Sequence, residues 1–228
     1  MSSLIKELLN KTSYSFYDLT DIMKILRSES GCPWDREQDH KTIRKNFIEE
    51  TYEVCEAIDN NDAEGLKEEL GDVLLQIVFH SRISEETEDF SIDDVIDGIC
   101  KKLIYRHPHI FGSVNVSGTE DVLKNWDALK KVEKNQKTSQ DVLNAVPKTL
   151  PALMYAFKLS EKASKNGFEF NDTLEDDFKF DENTGDEKIG EILFALASKC
   201  RINGIDPEKA LYDYCRKFID DFSKNSHE

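Results

Sequence analysis

Five carboxylates in "FIEETYEVCEAIDNNDAEGLKEELGDVLLQIVFH", residues 47–80, have the spacing to act together: Glu49, Glu50, Glu53, Glu69 and Asp72. A helix advances about 100° per residue. With Glu50 at zero, Phe47, Val54 and Ile58 fall between about 40° and 80°, which defines a buried stripe. Glu53, at about −60°, borders that stripe with Glu50. With Asp72 at zero, Leu66, Leu70, Val73 and Ile77 cluster between about 100° and 160°, and Glu69 at about 60° edges them. Packing the two stripes together brings Glu50, Glu53, Glu69 and Asp72 close to one another. Four clustered carboxylates cannot all stay ionised without compensation, so either their pKa values rise or cations lie between them. An all-oxygen set of this kind suits Mg²⁺, with Mn²⁺ as a substitute. An isolated Glu-Glu-x-x-Glu is more often a solvated helix face; the second acidic pair favours the cluster.

The elements that must carry these residues are helices. One is expected over residues 18–27, closed by the turn-prone "SESGCPWD". Thr42 caps the next, which runs to Asp59 and breaks at "NNDAEG". A long helix covers 63–84. Ser91 caps another that stops near His107, because Pro108 disfavours helix at the residue before it. Further helices run over 119–134, from Pro151 to the closing Gly167, and from Asp206-Pro207 onward. His107 and His109 flank Pro108 at a helix end and read as structural. Alternating strand patterns are absent, so the expected fold class is all-α. Residues 169–187 read as a long acidic loop, and a domain boundary is expected near 140.

Composition narrows the class further. The 228 residues, 39% hydrophobic and 33% charged, suit one large domain or two small ones. A net charge of −16 argues against nucleic acid or an anionic membrane as partner. No apolar run approaches the roughly 18 residues of a spanning helix, and Lys6, Glu7, Lys11 and Asp18 interrupt any secretory core at the amino terminus. Five scattered cysteines without a C-x-x-C pair exclude a disulfide framework and fit a cytoplasmic location. The helix carrying "VLLQIVF" is apolar almost all round, which predicts a homodimer.

Glu-Glu-x-x-Glu followed, after fifteen residues, by Glu-x-x-Asp resembles the signature of the all-α nucleoside triphosphate pyrophosphohydrolases. "GCPWDREQ", "EETYEVCEAI", "EELGDVLLQIVFHSRI", "RHPHIF" and "VLKNWDALKKVEK" resemble the MazG branch. The resemblance implies Mg²⁺-dependent hydrolysis of a nucleoside triphosphate to the monophosphate and pyrophosphate. It implies Glu50, Glu53, Glu69 and Asp72 as metal ligands, Lys102 and Arg106 as the basic pair for the phosphates, and Trp126 and Lys130 as nucleotide contacts. Glu49, beside the cluster, is the candidate to orient or deprotonate the attacking water.

The branch carries two copies of its helical unit. "LPALMYAFKLSEKASKNGFEF" and the segment from Gly185 onward resemble the second copy, but Lys188 and Glu191 stand where Glu-x-x-Asp would be. Asp221 likewise replaces a basic residue. The expectation is a catalytic domain over 1–140 and a degenerate second domain over 141–228. A carboxylate-bridged di-iron bundle would need Glu-x-x-His at the second acidic pair, where this sequence has Glu-x-x-Asp. The remaining alternative is a non-catalytic interaction module with a vestigial acidic site.

Overall fold

The protein is all-α in a computed structural model that describes residues 2–133, 138–168, 170 and 184–225. Two compact units divide between Asn115 and Val116. Unit 1 holds α1 (Ser2–Leu9), α2 (Phe16–Leu26), α3 (Pro33–Glu37), α4 (Arg44–Asp59), α5 (Ala63–Glu86), α6 (Ile92–Arg106) and α7 (Pro108–Phe111). Unit 2 holds α8 (Thr119–Glu133), α9 (Ser139–Asn144), α10 (Ala152–Lys165), α11 (Asp186–Ile202) and α12 (Pro207–Asn225). The packing division thus assigns α8 to unit 2, whereas composition alone points to residue 140. Most of the expected acidic loop, residue 169 and residues 171–183, lies outside the described residues.

Local chemistry sets the helix ends. Ser91 and Asp94 form a reciprocal capping box at the start of α6, and Ser15 with Asp18 does the same for α2. Asp18 also takes a hydrogen bond from Lys11, and these donors hold its carboxyl down at about 2. The expected Thr42 cap does not form. Ile43 is the N-cap residue of α4, and Thr42 is committed to a turn in which its N–H donates to Asp39 Oδ1 at 2.8 Å. Asp39 competes for the backbone more effectively because its carboxylate also accepts from the Lys41 N–H at 2.8 Å.

Three residues, Asn60 to Asp62, join α4 to α5. Asn61 adopts a left-handed φ of 54°, and the Asp62 N–H donates back to the Ala57 carbonyl at 2.9 Å, satisfying an end of α4. Asp62 then caps α5 by accepting from the Gly65 N–H at 3.0 Å. So short a connection forces the two helices to lie antiparallel and packed together.

The core of unit 1 sits toward the C-terminal half of α5, where Val78, Phe79 and Ile83 pack with Met23 of α2 and with Ile43. Arg27 ties that end together. Its guanidinium donates to Glu86 at 2.9 and 2.7 Å and to the Gln38 carbonyl at 3.0 Å, while lying over the Phe79 ring. In unit 2, α10 and α11 approach through small residues: Ser160, Ala197 and Ser198 are all buried. Gly167 closes α10 with φ 86°, and the Phe168 N–H reaches back to the Ala163 carbonyl at 3.1 Å.

Candidate active site

The α4–α5 hairpin brings the predicted acids together. One oxygen from each of Glu50, Glu69 and Asp72 can be chosen so that all three lie within 4.8 Å of one another. Glu53, one turn after Glu50, interacts with both Glu50 and Glu69. Burial pushes the Glu50 carboxyl up, and the charges of Asp72, Glu53 and Glu69 push it further. Glu69 is raised in the same way, by burial first and then by Glu53. The group is therefore electrostatically uncompensated by the protein itself. Glu49 lies exposed on α4 next to Glu50.

The donor set fits a hard divalent cation, since every converging atom is a carboxylate oxygen. One turn beyond Asp72, Gln76 is buried with its Oε1 unpartnered among the described residues. A buried acceptor without a donor is costly, and a water held by a cation is a donor suited to it. Sequence reasoning did not single out Gln76. Its position four residues after Asp72 was the available signal.

Of the seven residues assigned to the apolar stripes, five are half-buried and two are exposed. Ile58 is 55% exposed and Leu70 is 51% exposed, while Ala57 is the buried residue of α4. The short turn seats α4 and α5 along Ala57, leaving the outer edges of both stripes uncovered. Lys102 and Arg106 lie one turn apart on α6, with Arg106 buried and Lys102 exposed. Trp126 and Lys130 lie one turn apart on α8 of unit 2, both half-buried. His107 ends α6, its Nδ1 2.6 Å from the Leu103 carbonyl, in keeping with a structural role.

In unit 2, α10 and α11 pack together. There Lys188 Nζ lies 3.1 Å from Glu191, an ion pair between the two residues expected from the sequence to stand in place of Glu-x-x-Asp.

The MazG nucleotide pyrophosphohydrolase domain matches residues 38–111, a span that contains all five acids together with Lys102 and Arg106. A Thermotoga maritima protein named nucleoside triphosphate pyrophosphohydrolase/pyrophosphatase MazG is 41% identical over 221 residues, covering 92% of this chain and 84% of that one. The Escherichia coli K12 nucleoside triphosphate pyrophosphohydrolase is 35% identical over 217 residues, covering 88% and 82%. An uncharacterized protein YabN of Bacillus subtilis is 43% identical over 225 residues, with 46% of its length covered. The fold is that of an all-α protein with an acidic helical hairpin, and the chain belongs to the MazG nucleotide pyrophosphohydrolase family.

Proposed function

We propose that this protein hydrolyses a nucleoside triphosphate to the monophosphate and pyrophosphate at the carboxylates of the α4–α5 hairpin. The observation that carries this reading is the convergence of Glu50, Glu69 and Asp72 oxygens within 4.8 Å, with burial and mutual repulsion raising Glu50 and Glu69. Glu50, Glu53, Glu69 and Asp72 would hold Mg²⁺, or Mn²⁺ in its place. When bound, such an ion neutralises phosphate charge and lowers the pKa of a water directed at the α or β phosphorus. Glu49 takes the proton of the attacking water at its carboxylate. Lys102 and Arg106 bind phosphate oxygens, Arg106 through the paired N–H groups suited to them. Trp126 stacks on the base, which tolerates any nucleobase, and Lys130 contributes a further charge.

In this reading residues 1–140 form the catalytic portion, extending past the packing division to include α8, and 141–228 form a degenerate second copy. The working form is a homodimer in the cytoplasm. Incubation with a panel of ribo- and deoxyribonucleoside triphosphates tests the activity directly. Release of pyrophosphate with Mg²⁺, and none in EDTA, is expected; release of orthophosphate instead would refute the assignment.

Catalysis is confined to the first copy. Glu191→Gln is expected to leave turnover within about twofold of wild type, because a surface carboxylate already paired to Lys188 binds Mg²⁺ weakly. Steady-state rates checked beside melting temperature decide this, and a loss of turnover without a loss of stability would contradict the two-copy assignment.

A further inference from the structure

Where the chain enters α4, residues 38–43 lie against the second half of α5, and two imidazoles meet there. His40 Nδ1 lies 2.8 Å from His80 Nδ1, the rings stacked with 5.1 Å between centroids and 6° between planes. On its other side, His40 Nε2 lies 3.2 Å from the hydroxyl of buried Ser84. The Phe47 ring of α4 meets His80 edge-on at 6.0 Å. These contacts tie the turn to α5 between two other anchors, the Gln38 carbonyl held by Arg27 and Ile43 in the core. His40 is exposed and His80 half-buried, so protons reach the pair from solvent without unfolding.

We propose that the His40–His80 pair is an acid-released latch on the turn that leads into α4. A hydrogen bond between two Nδ1 atoms needs one N–H and one lone pair, whichever ring donates. A first added proton goes to a bare Nε2 and leaves that bond intact. A second has only the facing nitrogen to take, so two N–H groups and two positive charges oppose each other and the contact opens. Burial pushes the His80 imidazole down, and the charge of His40 pushes it further. Among the described residues, His40 is the one charged group that shifts His80; Arg44, Lys45 and Glu50 on α4 leave it unmoved. Arg27 of α2 and Arg82 of α5 are paired with Glu86, Asp94 of α6 with Ser91, and Asp39 in the turn with the Lys41 and Thr42 N–H groups. A lowered folded-state pKa means that the folded chain binds fewer protons than the unfolded one. This contribution to stability is therefore fully present above the ordinary imidazole value of about 6.5 and is lost as pH falls through the folded value. Release loosens the entry to the helix that carries Glu50, while Met23, Val78 and Phe79 stay packed. The latch goes beyond the pyrophosphohydrolase reading and stands without it.

The test is amide hydrogen exchange of the full chain in EDTA, corrected for intrinsic exchange rates, at about pH 7.5 and about pH 5.5, on either side of the ordinary imidazole value. The opening constant of residues 39–47 is expected to rise at least about threefold at the lower pH, and that of residues 78–83 to rise less. In His80→Asn the amide oxygen still accepts from His40 but takes up no proton, so the rise is expected to fall below about 1.5-fold. His40→Asn gives the same readout should that variant melt early. Imidazole nitrogen resonances read the protons directly, and both Nδ1 atoms protonated in the opened turn support the latch. The proposal is overturned by a wild-type turn that does not open with acid, by an equal rise at residues 78–83 or in the asparagine variants, or by a turn that opens while one Nδ1 stays bare.

Discussion

Asp72→Asn and Glu69→Gln are each expected to lower turnover at least about a hundredfold, equivalent to about 2.7 kcal/mol of transition-state stabilisation. Stability should move the other way. In the absence of divalent ions the carboxylates repel, and burial together with Asp72 raises Glu50. A raised folded-state pKa means that the folded chain binds more protons than the unfolded one, so this contribution to stability is fully present at low pH and is lost as pH rises through the folded pKa. Removing the Asp72 charge relieves part of that penalty. Measured in EDTA, the melting temperature of Asp72→Asn should match or exceed wild type, and the gap should widen as pH rises from the ordinary carboxylate range toward neutrality. Adding Mg²⁺ should raise the wild-type melting temperature more than that of the variant, by the usual linkage of ligand to stability. A variant that keeps wild-type turnover with Mg²⁺ present would remove the proposed site.

Leu70→Asp combined with Leu74→Asp is expected to convert a homodimer into a monomer. Leu70 and Leu74 lie one turn apart on α5, 51% and 36% exposed, and Ile48 and Tyr52 form a similar exposed pair on α4. On α6, Ile96, Ile99 and Leu103 repeat the pattern. Exposed apolar residues recurring on three helices of unit 1 are what the proposed homodimer would cover. Fully burying one leucine is worth about 1.5–3 kcal/mol, and a two-fold interface uses each position twice. Two aspartates per protomer should therefore raise the dissociation constant at least about a thousandfold. Sedimentation at micromolar concentration reads the outcome. A wild-type chain that sediments as a compact monomer would refute the dimer.

Much of this architecture was legible because its determinants are local. Ser91 and Asp94 specify a cap within four residues, and Asp206-Pro207 opens α12. The carboxylates were legible for the same reason, since a helix and a three-residue turn fix where Glu50 and Asp72 point. What could not be read depended on competition or distance. Asp39 and Thr42 both bid for one turn, and only the folded backbone shows Ile43 at the start of α4. Periodicity found the stripe containing Ile58 and Leu70 but not what covers it, because an apolar face filled by the same chain and one left for a partner have identical patterns. Composition marks turns, whereas the packing division at Asn115 depends on which neighbours a helix such as α8 finds.

The α5 helix divides its labour along its length. Its first half presents Glu69 and Asp72, and its second half supplies Val78, Phe79 and Ile83 to the core. Such segregation makes the chemistry evolvable, because substitutions at one end leave the packing that keeps the chain folded untouched. In the proposed two-copy reading, unit 2 is an instance of that freedom already used. In α11 the Lys188–Glu191 ion pair occupies the exposed first turns, while Ile192, Ala197 and Ser198 are buried. On that reading, a hairpin released from hydrolysis can persist as scaffold, because what keeps it folded lies elsewhere along the helix.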